Sequence, residues 1–152
     1  MAGLSTPQTG ECRLKPDPSC VTRTLFKMTK FFRARGMEPG ACSDLELAAA
    51  EALNNAIEHG CADRIKADVV CRWSWIGEMV EIEIQDGGSY LPPSGQVSLP
   101  RDPLAETGRG ALLIERLADS VQHAVTAEGH SIQLSKRVNQ VPQRKAGGRF
   151  RA

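Results

Sequence analysis

The chain has 152 residues, a length typical of a single domain. Its 41% hydrophobic and 24% charged residues are ordinary for a globular protein and exclude a disordered, collagenous or coiled-coil chain. No apolar run approaches the roughly 18 residues that a membrane span requires, and no signal-peptide pattern opens the chain, so a cytoplasmic protein without membrane contact is expected. The five cysteines form no Cys-x-x-Cys pair and are odd in number, which argues against metal or disulfide roles.

The net charge of +1 conceals an uneven distribution. Residues 136–152 hold six basic residues and no acidic ones, whereas residues 1–135 hold 13 basic and 18 acidic residues. Nucleic-acid-binding domains concentrate Lys and Arg on their folded surface, so this acidic body argues against direct nucleic-acid binding. We predict a flexible N-terminus over residues 1–9, one domain over 10–137, and a basic, disordered tail over 138–152.

Two helices are predicted in the first half of the chain. The first has apolar residues at helical spacing, which are Val21, Leu25, Met28 and Phe32. Gly36 is its predicted end. The second is predicted to begin at a capping box, Ser43 to Glu46, and to run to about His59, with Gly60 as its C-terminal cap.

The remaining elements are predicted to be two hairpins separated by a loop and a third helix. Strands are predicted over residues 12–15, 67–75, 80–86, 121–125 and 131–134. The segment Ser89–Thr107 contains four prolines and is predicted to be a lid, because so long a loop in a small domain is usually functional. The third helix is predicted to follow Gly108 and to extend to about Val121.

This order of elements predicts an α+β fold. Consecutive hairpins give a mainly antiparallel mixed sheet, and about three helices cover one of its faces in a two-layer sandwich. The order argues against a doubly wound nucleotide-binding fold, in which strands and helices alternate throughout.

Three groups of residues are candidates for a binding site. Glu51 and Asn55 are four residues apart, so they project from one face of the second helix. Asp86 falls on the inward face of its strand, where a carboxylate needs a buried donor such as the exocyclic amine of a purine, and Gly88 would let the backbone approach the base. Taken singly, the pair also fits a solvated helix face, and Asp86 also fits a simple Asp-Gly turn.

The third group is Gly108-Arg109-Gly110, which opens the third helix. Free backbone amides and the helix dipole favour an anion such as phosphate at a helix start. Taken singly, the same three residues also fit a flexible loop with a solvated arginine. The chain contains no P-loop sequence, so any phosphate site would be of another kind.

Together, the three segments Glu51–Gly60, Ile84–Gly88 and Gly108–Asp119 resemble the anti-sigma-factor serine kinases of bacterial partner switching. Those kinases belong to the GHKL superfamily of gyrase, Hsp90, histidine kinases and MutL. The resemblance extends over about residues 10–137, and it implies the Bergerat type of ATPase fold with ATP and Mg²⁺ as cofactors.

The resemblance also implies roles for residues. Glu51 corresponds to the general base, Asn55 to the Mg²⁺ ligand, Asp86 to the acceptor of the adenine amine, and Gly88 to the glycine beneath the base. Gly108 and Gly110 correspond to the glycines of the phosphate loop, Arg109 would steady the γ-phosphate, and Ser131 matches a small hydroxyl residue of the nucleotide pocket.

The implied partners are a sigma factor and an anti-anti-sigma factor with a STAS domain, and the implied assembly is a homodimer. Two alternatives stay open. Tyr90 and Glu106 depart from the family pattern, which favours a nucleotide-dependent binding module of the same fold with little or no kinase activity. The basic tail favours a non-nucleotide interaction protein.

Overall fold

The computed structural model describes residues 8–60, 67–88 and 109–139. The helices and strands are β1 (Gln8–Leu14), α1 (Pro18–Ala34), α2 (Pro39–Asn55), a π-helical turn (Ala56–Gly60), β2 (Val69–Ile76), β3 (Met79–Asp86), α3 (Arg109–Leu117), β4 (Ser120–Thr126) and β5 (Gly129–Arg137). None of the described helices is long and apolar enough to cross a membrane. The predicted lid with Tyr90 and Glu106, Gly108, and the tail after residue 139 lie outside the described residues.

The five described strands form one sheet in the order β1-β2-β3-β5-β4, and every neighbouring pair is antiparallel. The three helices lie on one face, as the buried side chains of β3 show: Val80, Ile82 and Ile84 are fully buried, whereas the residues between them are partly or fully exposed. The predicted α+β two-layer fold is therefore confirmed.

The core lies between the sheet and helices α1 and α2. The rings of Phe32 and Trp75 pack edge to face with centroids 6.2 Å apart, and those of Phe31 and Trp73 do so at 6.1 Å. The two tryptophans thus belong to the core. Small residues form the inward face of α2, since Ala49 and Ala52 are buried, and Ala56 in the turn that follows is buried as well.

Helix α2 begins one turn before the predicted capping box. Pro39 occupies the first turn, and the carboxylate of Glu38 accepts hydrogen bonds of 2.8 Å from the backbone amides of Gly40 and Ala41. These two bonds lower the pKa of Glu38. The predicted start at Ser43 was wrong, because Glu38 caps the helix and Ser43 lies inside it.

The C-terminal ends of α2 and α3 also differ from the prediction. The α-helical part of α2 ends at Asn55, and the chain continues through the π-helical turn to Gly60. Helix α3 ends at Leu117, whose carbonyl accepts a 2.8 Å hydrogen bond from Lys136 Nζ. Val121 was predicted both as the end of the third helix and as the start of a strand; it lies in β4, which confirms the strand.

Candidate functional site

A carboxylate and an amide of α2 meet the start of α3. Glu51 and Asn55 lie on successive turns of α2, and both are partly buried. A Cβ atom added at Gly110 would lie 2.6 Å from Glu51 Oε2 and 3.8 Å from Asn55 Nδ2. Three of the predicted site residues are therefore brought together, and Gly110 leaves space for the Glu51 carboxylate.

The start of α3 is electropositive. Arg109 is its first residue and is exposed, and the first amides of a helix have no partner within the helix. These amides and the helix dipole favour an anion, and Glu51 places one carboxylate beside them. The same position suits a phosphate group, with Arg109 available as a further cation. The predicted contribution of Gly108 lies outside the described residues.

Asp86 ends β3 as a buried carboxylate, as predicted. Its side chain is only 3% exposed. Oδ1 accepts a hydrogen bond of 2.7 Å from the backbone amide of Gly88, and Oδ2 lies 3.2 Å from His130 Nδ1. Gly88 is itself buried, so the carboxylate and the following backbone form one enclosed unit.

The start of β5 lies unusually close to Asp86. A Cβ atom at Gly129 would lie 1.9 Å from the carbonyl oxygen of Asp86, and the φ angle of Gly129 is +132°. No other residue fits this position without moving one of the two strands. The close approach fixes the pairing of β3 with β5, in which His130 lies directly opposite Asp86.

Ser131 is not next to Asp86 in the structure. It pairs with Gln85, and because successive strand residues point to opposite faces, its side chain lies on the helix-free face with that of Gln133. The neighbour of Asp86 is His130, which the sequence analysis missed. The available signal was a histidine beside the predicted hydroxyl residue, but a shift of one position in register exchanges the two faces.

The end of α2 lies beside the strand that carries Asp86. The π-helical turn that follows Asn55 contacts β3, the strand that carries Asp86. Such turns occur frequently at functional sites. Here the turn carries the chain from the Glu51–Asn55 pair toward the strand with the buried carboxylate.

A metal ion in this site would need phosphate or water ligands in addition to any protein side chain. Among residues 8–60, 67–88 and 109–139, no group of three or more His, Cys, Asp or Glu side chains could hold one. Mg²⁺ binds oxygen atoms and is often held by one or two protein ligands together with phosphate and water. The side-chain amide of Asn55 lies beside the start of α3 and has an oxygen suited to that kind of site.

A separate groove of 560 Å³ lies on the helix-free face of the sheet. At its centre the guanidinium of Arg72 lies 2.8 Å from Glu11 and 3.3 Å from Glu83. These charges largely satisfy one another, and the groove contains none of the predicted site residues. The arrangement around Glu51 and Asp86 is therefore the candidate site.

Comparison with known proteins identifies the family. The profile of the histidine kinase-like ATPase domain matches residues 14–136. The chain belongs to this family. The matched range contains Glu51, Asn55, Asp86 and Gly110, and the family implies an ATP-binding fold.

Two individual proteins show how far the similarity extends. The chain is 25% identical, over 142 residues, to the serine-protein kinase RsbW of Bacillus velezensis, and the match covers 85% of each protein. It shares its fold with a crystal structure of the RsbU and RsbW domains of a Mycobacterium tuberculosis protein, with a TM-score of 0.66 and 17% identity. That match covers 86% of this chain and 32% of the longer mycobacterial chain.

Proposed function

We propose that this chain binds ATP with Mg²⁺ and transfers the γ-phosphoryl group to a serine or threonine of an anti-anti-sigma factor. The observation that carries the proposal is the convergence of Glu51 and Asn55 on the start of α3, where a Cβ at Gly110 would lie 2.6 Å from the Glu51 carboxylate. Phosphoryl transfer needs a base, an oxygen ligand for the metal ion and a site that binds anions. The side chains of Glu51 and Asn55 and the start of α3 offer these three groups in one place.

The base of ATP is recognised by Asp86. A buried carboxylate is only an acceptor, so it pairs with the exocyclic amine of adenine and not with the carbonyl oxygen of guanine. The enclosed position of Asp86, 3% exposed, strengthens such a bond because little water competes. Gly88 allows the adenine ring to lie close to the backbone.

The phosphates are held at the start of α3. Backbone amides of the first turn donate to phosphate oxygens, Gly108 and Gly110 keep the approach free of side chains, and Arg109 adds positive charge. Asn55 would hold Mg²⁺, which, when bound, neutralises charge that develops on the transferred group.

Glu51 acts as the general base. Its carboxylate takes the proton from the serine or threonine hydroxyl as that oxygen attacks the γ-phosphorus. A new oxygen–phosphorus bond forms, the bond between the γ-phosphorus and the bridging oxygen breaks, and ADP leaves with the electron pair. Phosphoserine or phosphothreonine is the product.

The partners follow from similarity. The similar Bacillus velezensis protein is a serine-protein kinase, and the motifs resemble those of kinases that sequester a sigma factor. We therefore include sigma-factor sequestration, a STAS-domain antagonist as substrate, a homodimer and a cytoplasmic location in the proposal. No direct binding to nucleic acid or membrane forms part of it.

Labelled ATP tests the proposal directly. The wild-type chain is incubated with Mg²⁺, γ-labelled ATP and the STAS-domain protein of the same organism, and we expect label on a serine or threonine of that protein. Calorimetry that detects ATP binding without transfer would favour the binding module instead. Absence of both would refute the proposal, and a pull-down with and without ATP then identifies the partner.

Gly110→Ala is expected to reduce phosphotransfer about tenfold without harming the fold. The added methyl group would lie 2.6 Å from Glu51 Oε2, so the carboxylate must move away. Misplacement of a catalytic group by about 1 Å can cost up to roughly 100-fold, whereas alanine has the better helix propensity by about 1 kcal/mol. Transfer rates and thermal melts measure the two effects.

Leu112→Ala, two residues further along the same helix, is the control for Gly110→Ala. Leu112 is partly buried and its substitution adds no atoms near Glu51. Transfer by the Gly110 variant at the wild-type rate would contradict the inferred placement of the base.

A further inference from the structure

Two histidines extend from the buried Asp86 toward the surface. Asp86 Oδ2 lies 3.2 Å from His130 Nδ1, and His130 Nε2 lies 3.0 Å from His123 Nδ1. The two imidazole rings are stacked, with centroids 5.3 Å apart and an interplanar angle of 27°. The side chain of His130 is 12% exposed, and His123 lies on the surface. The proposed reaction uses neither histidine.

We propose that His130 is the positioning residue of the purine site: its Nδ1–H bond to Asp86 holds the carboxylate in the orientation that accepts the adenine amine. The inference rests on the proposed ATP-binding function. Gly88 fixes one oxygen of the carboxylate at 2.7 Å and His130 fixes the other, so the carboxylate cannot rotate. Each oxygen keeps a free lone pair, because an ionised carboxylate accepts about four hydrogen bonds.

The carboxylate determines the direction of the hydrogen bond between Asp86 and His130. An ionised Asp86 has no proton to donate, so Nδ1 of His130 must carry the hydrogen. When that ring is neutral, Nε2 is an acceptor and can receive the Nδ1–H of His123. Partial loss of hydration lowers the pKa of His123, and the charge of a protonated His130 would lower it further. The neutral form of His123 is thus favoured.

The fixed carboxylate has a consequence for nucleotide choice. A carboxylate that is held by two donors offers only acceptor sites to the ligand, which match the amine of adenine and oppose the carbonyl oxygen of guanine. Loss of the His130 bond frees one end of the buried carboxylate, whose acceptor sites can then turn from the 6-amine of adenine toward the N1–H and 2-amino group of guanine. His130 therefore contributes to selectivity as well as to affinity.

The test compares His130→Ala and His130→Asn with Gln133→Ala. Asparagine keeps an N–H donor near the position of Nδ1, whereas alanine removes it. Gln133 is exposed on the same strand and points to the other face. Binding of Mg²⁺-ATP and Mg²⁺-GTP to each full-length variant is measured by calorimetry, and thermal melts report folding.

We expect His130→Ala to weaken ATP binding about tenfold, the effect of losing one hydrogen bond to a charged group, and to narrow the preference for ATP over GTP. His130→Asn is expected to restore both to near the wild-type values, and Gln133→Ala to change neither. If the alanine variant does not fold, the asparagine variant alone decides, because it retains the donor.

Three different outcomes would contradict the proposed function, the role of His130 and the role of its N–H donor, respectively. Wild-type protein that binds no ATP would overturn the proposed function. Wild-type protein that binds ATP, together with an alanine variant of equal affinity and selectivity, would overturn the role of His130 only. The third outcome concerns a folded His130→Asn variant. If its ATP affinity is as low as that of His130→Ala, or tenfold below wild type where the alanine variant does not fold, the N–H donor is not the property that matters.

Discussion

Glu51→Gln is expected to lower phosphotransfer by roughly 10²–10⁴-fold, the usual contribution of a general base, while ATP affinity stays close to that of the wild type. Glutamine keeps the size of the side chain and so fits the space beside Gly110, where Oε2 lies 2.6 Å from the position of a Cβ atom. It cannot take a proton from the attacking hydroxyl. Single-turnover transfer of labelled phosphate measures the chemical step, and calorimetry measures ATP binding.

Glu51 could act as a general base or only support the fold, and ATP affinity distinguishes these two roles. A carboxylate beside the helix start competes with the incoming phosphates for the same positive potential, so its neutralisation does not weaken ATP binding. A side chain that only supports the fold would instead lower affinity and rate together. The split between an unchanged affinity and a reduced rate is therefore the signature of a base.

Glu46→Gln is the matched control. Glu46 lies on the same helix, and its carboxylate is 40% exposed and lies 3.8 Å from Arg33. An exposed ion pair at this distance contributes little, so transfer and affinity should both stay at wild-type values. Transfer by Glu51→Gln at the wild-type rate would show that Glu51 is not the general base.

The layers of the fold were predictable from hydrophobic periodicity. Val80, Ile82 and Ile84 alternate with polar residues, and the structure buries all three against the helices. The same alternation placed Asp86 on the inward face, which is why its burial was predictable. Spacing of four residues likewise placed Glu51 and Asn55 on one face of α2.

Helix limits were less predictable because local signals compete. Ser43 and Glu46 form a correct capping-box pattern, yet Pro39 and the carboxylate of Glu38 satisfy the helix start one turn earlier. At the other end of the chain, apolar spacing carries the predicted third helix to Val121. In the structure it ends at Leu117, whose carbonyl accepts a hydrogen bond from Lys136 in β5.

The partner of Asp86 depended on strand register, which no local pattern specifies. Gly129 determines it by letting β5 approach within contact of the Asp86 carbonyl. That contact joins residues far apart in the chain, so the pairing of Asp86 with His130 appears only in the folded sheet. Ser131, the predicted pocket residue, is displaced to the other face by the same register.

Asp86→Asn is expected to weaken ATP binding by roughly 10- to 100-fold, since a hydrogen bond to a charged group contributes about 1.5–3 kcal/mol. Asparagine has one acceptor oxygen and one NH₂ group, so it cannot accept from Gly88, His130 and an adenine amine on two oxygens as the carboxylate does. With the amide oxygen on Gly88, the NH₂ group takes the place of Oδ2 beside His130, whose Nδ1 accepts only in the other tautomer, so an acceptor oxygen of the site is lost. Calorimetric titration with Mg²⁺-ATP measures the loss.

Asp119→Asn separates this effect from a general loss of a structural carboxylate. Asp119 accepts a backbone hydrogen bond of 2.7 Å, from Arg137, as Asp86 does from Gly88, but at the exposed turn between α3 and β4. Its variant should bind ATP normally. Unchanged ATP affinity in a folded Asp86 variant would show that Asp86 does not bind adenine. Glu51 and Asn55 would then have to act on a phosphate donor that other residues hold.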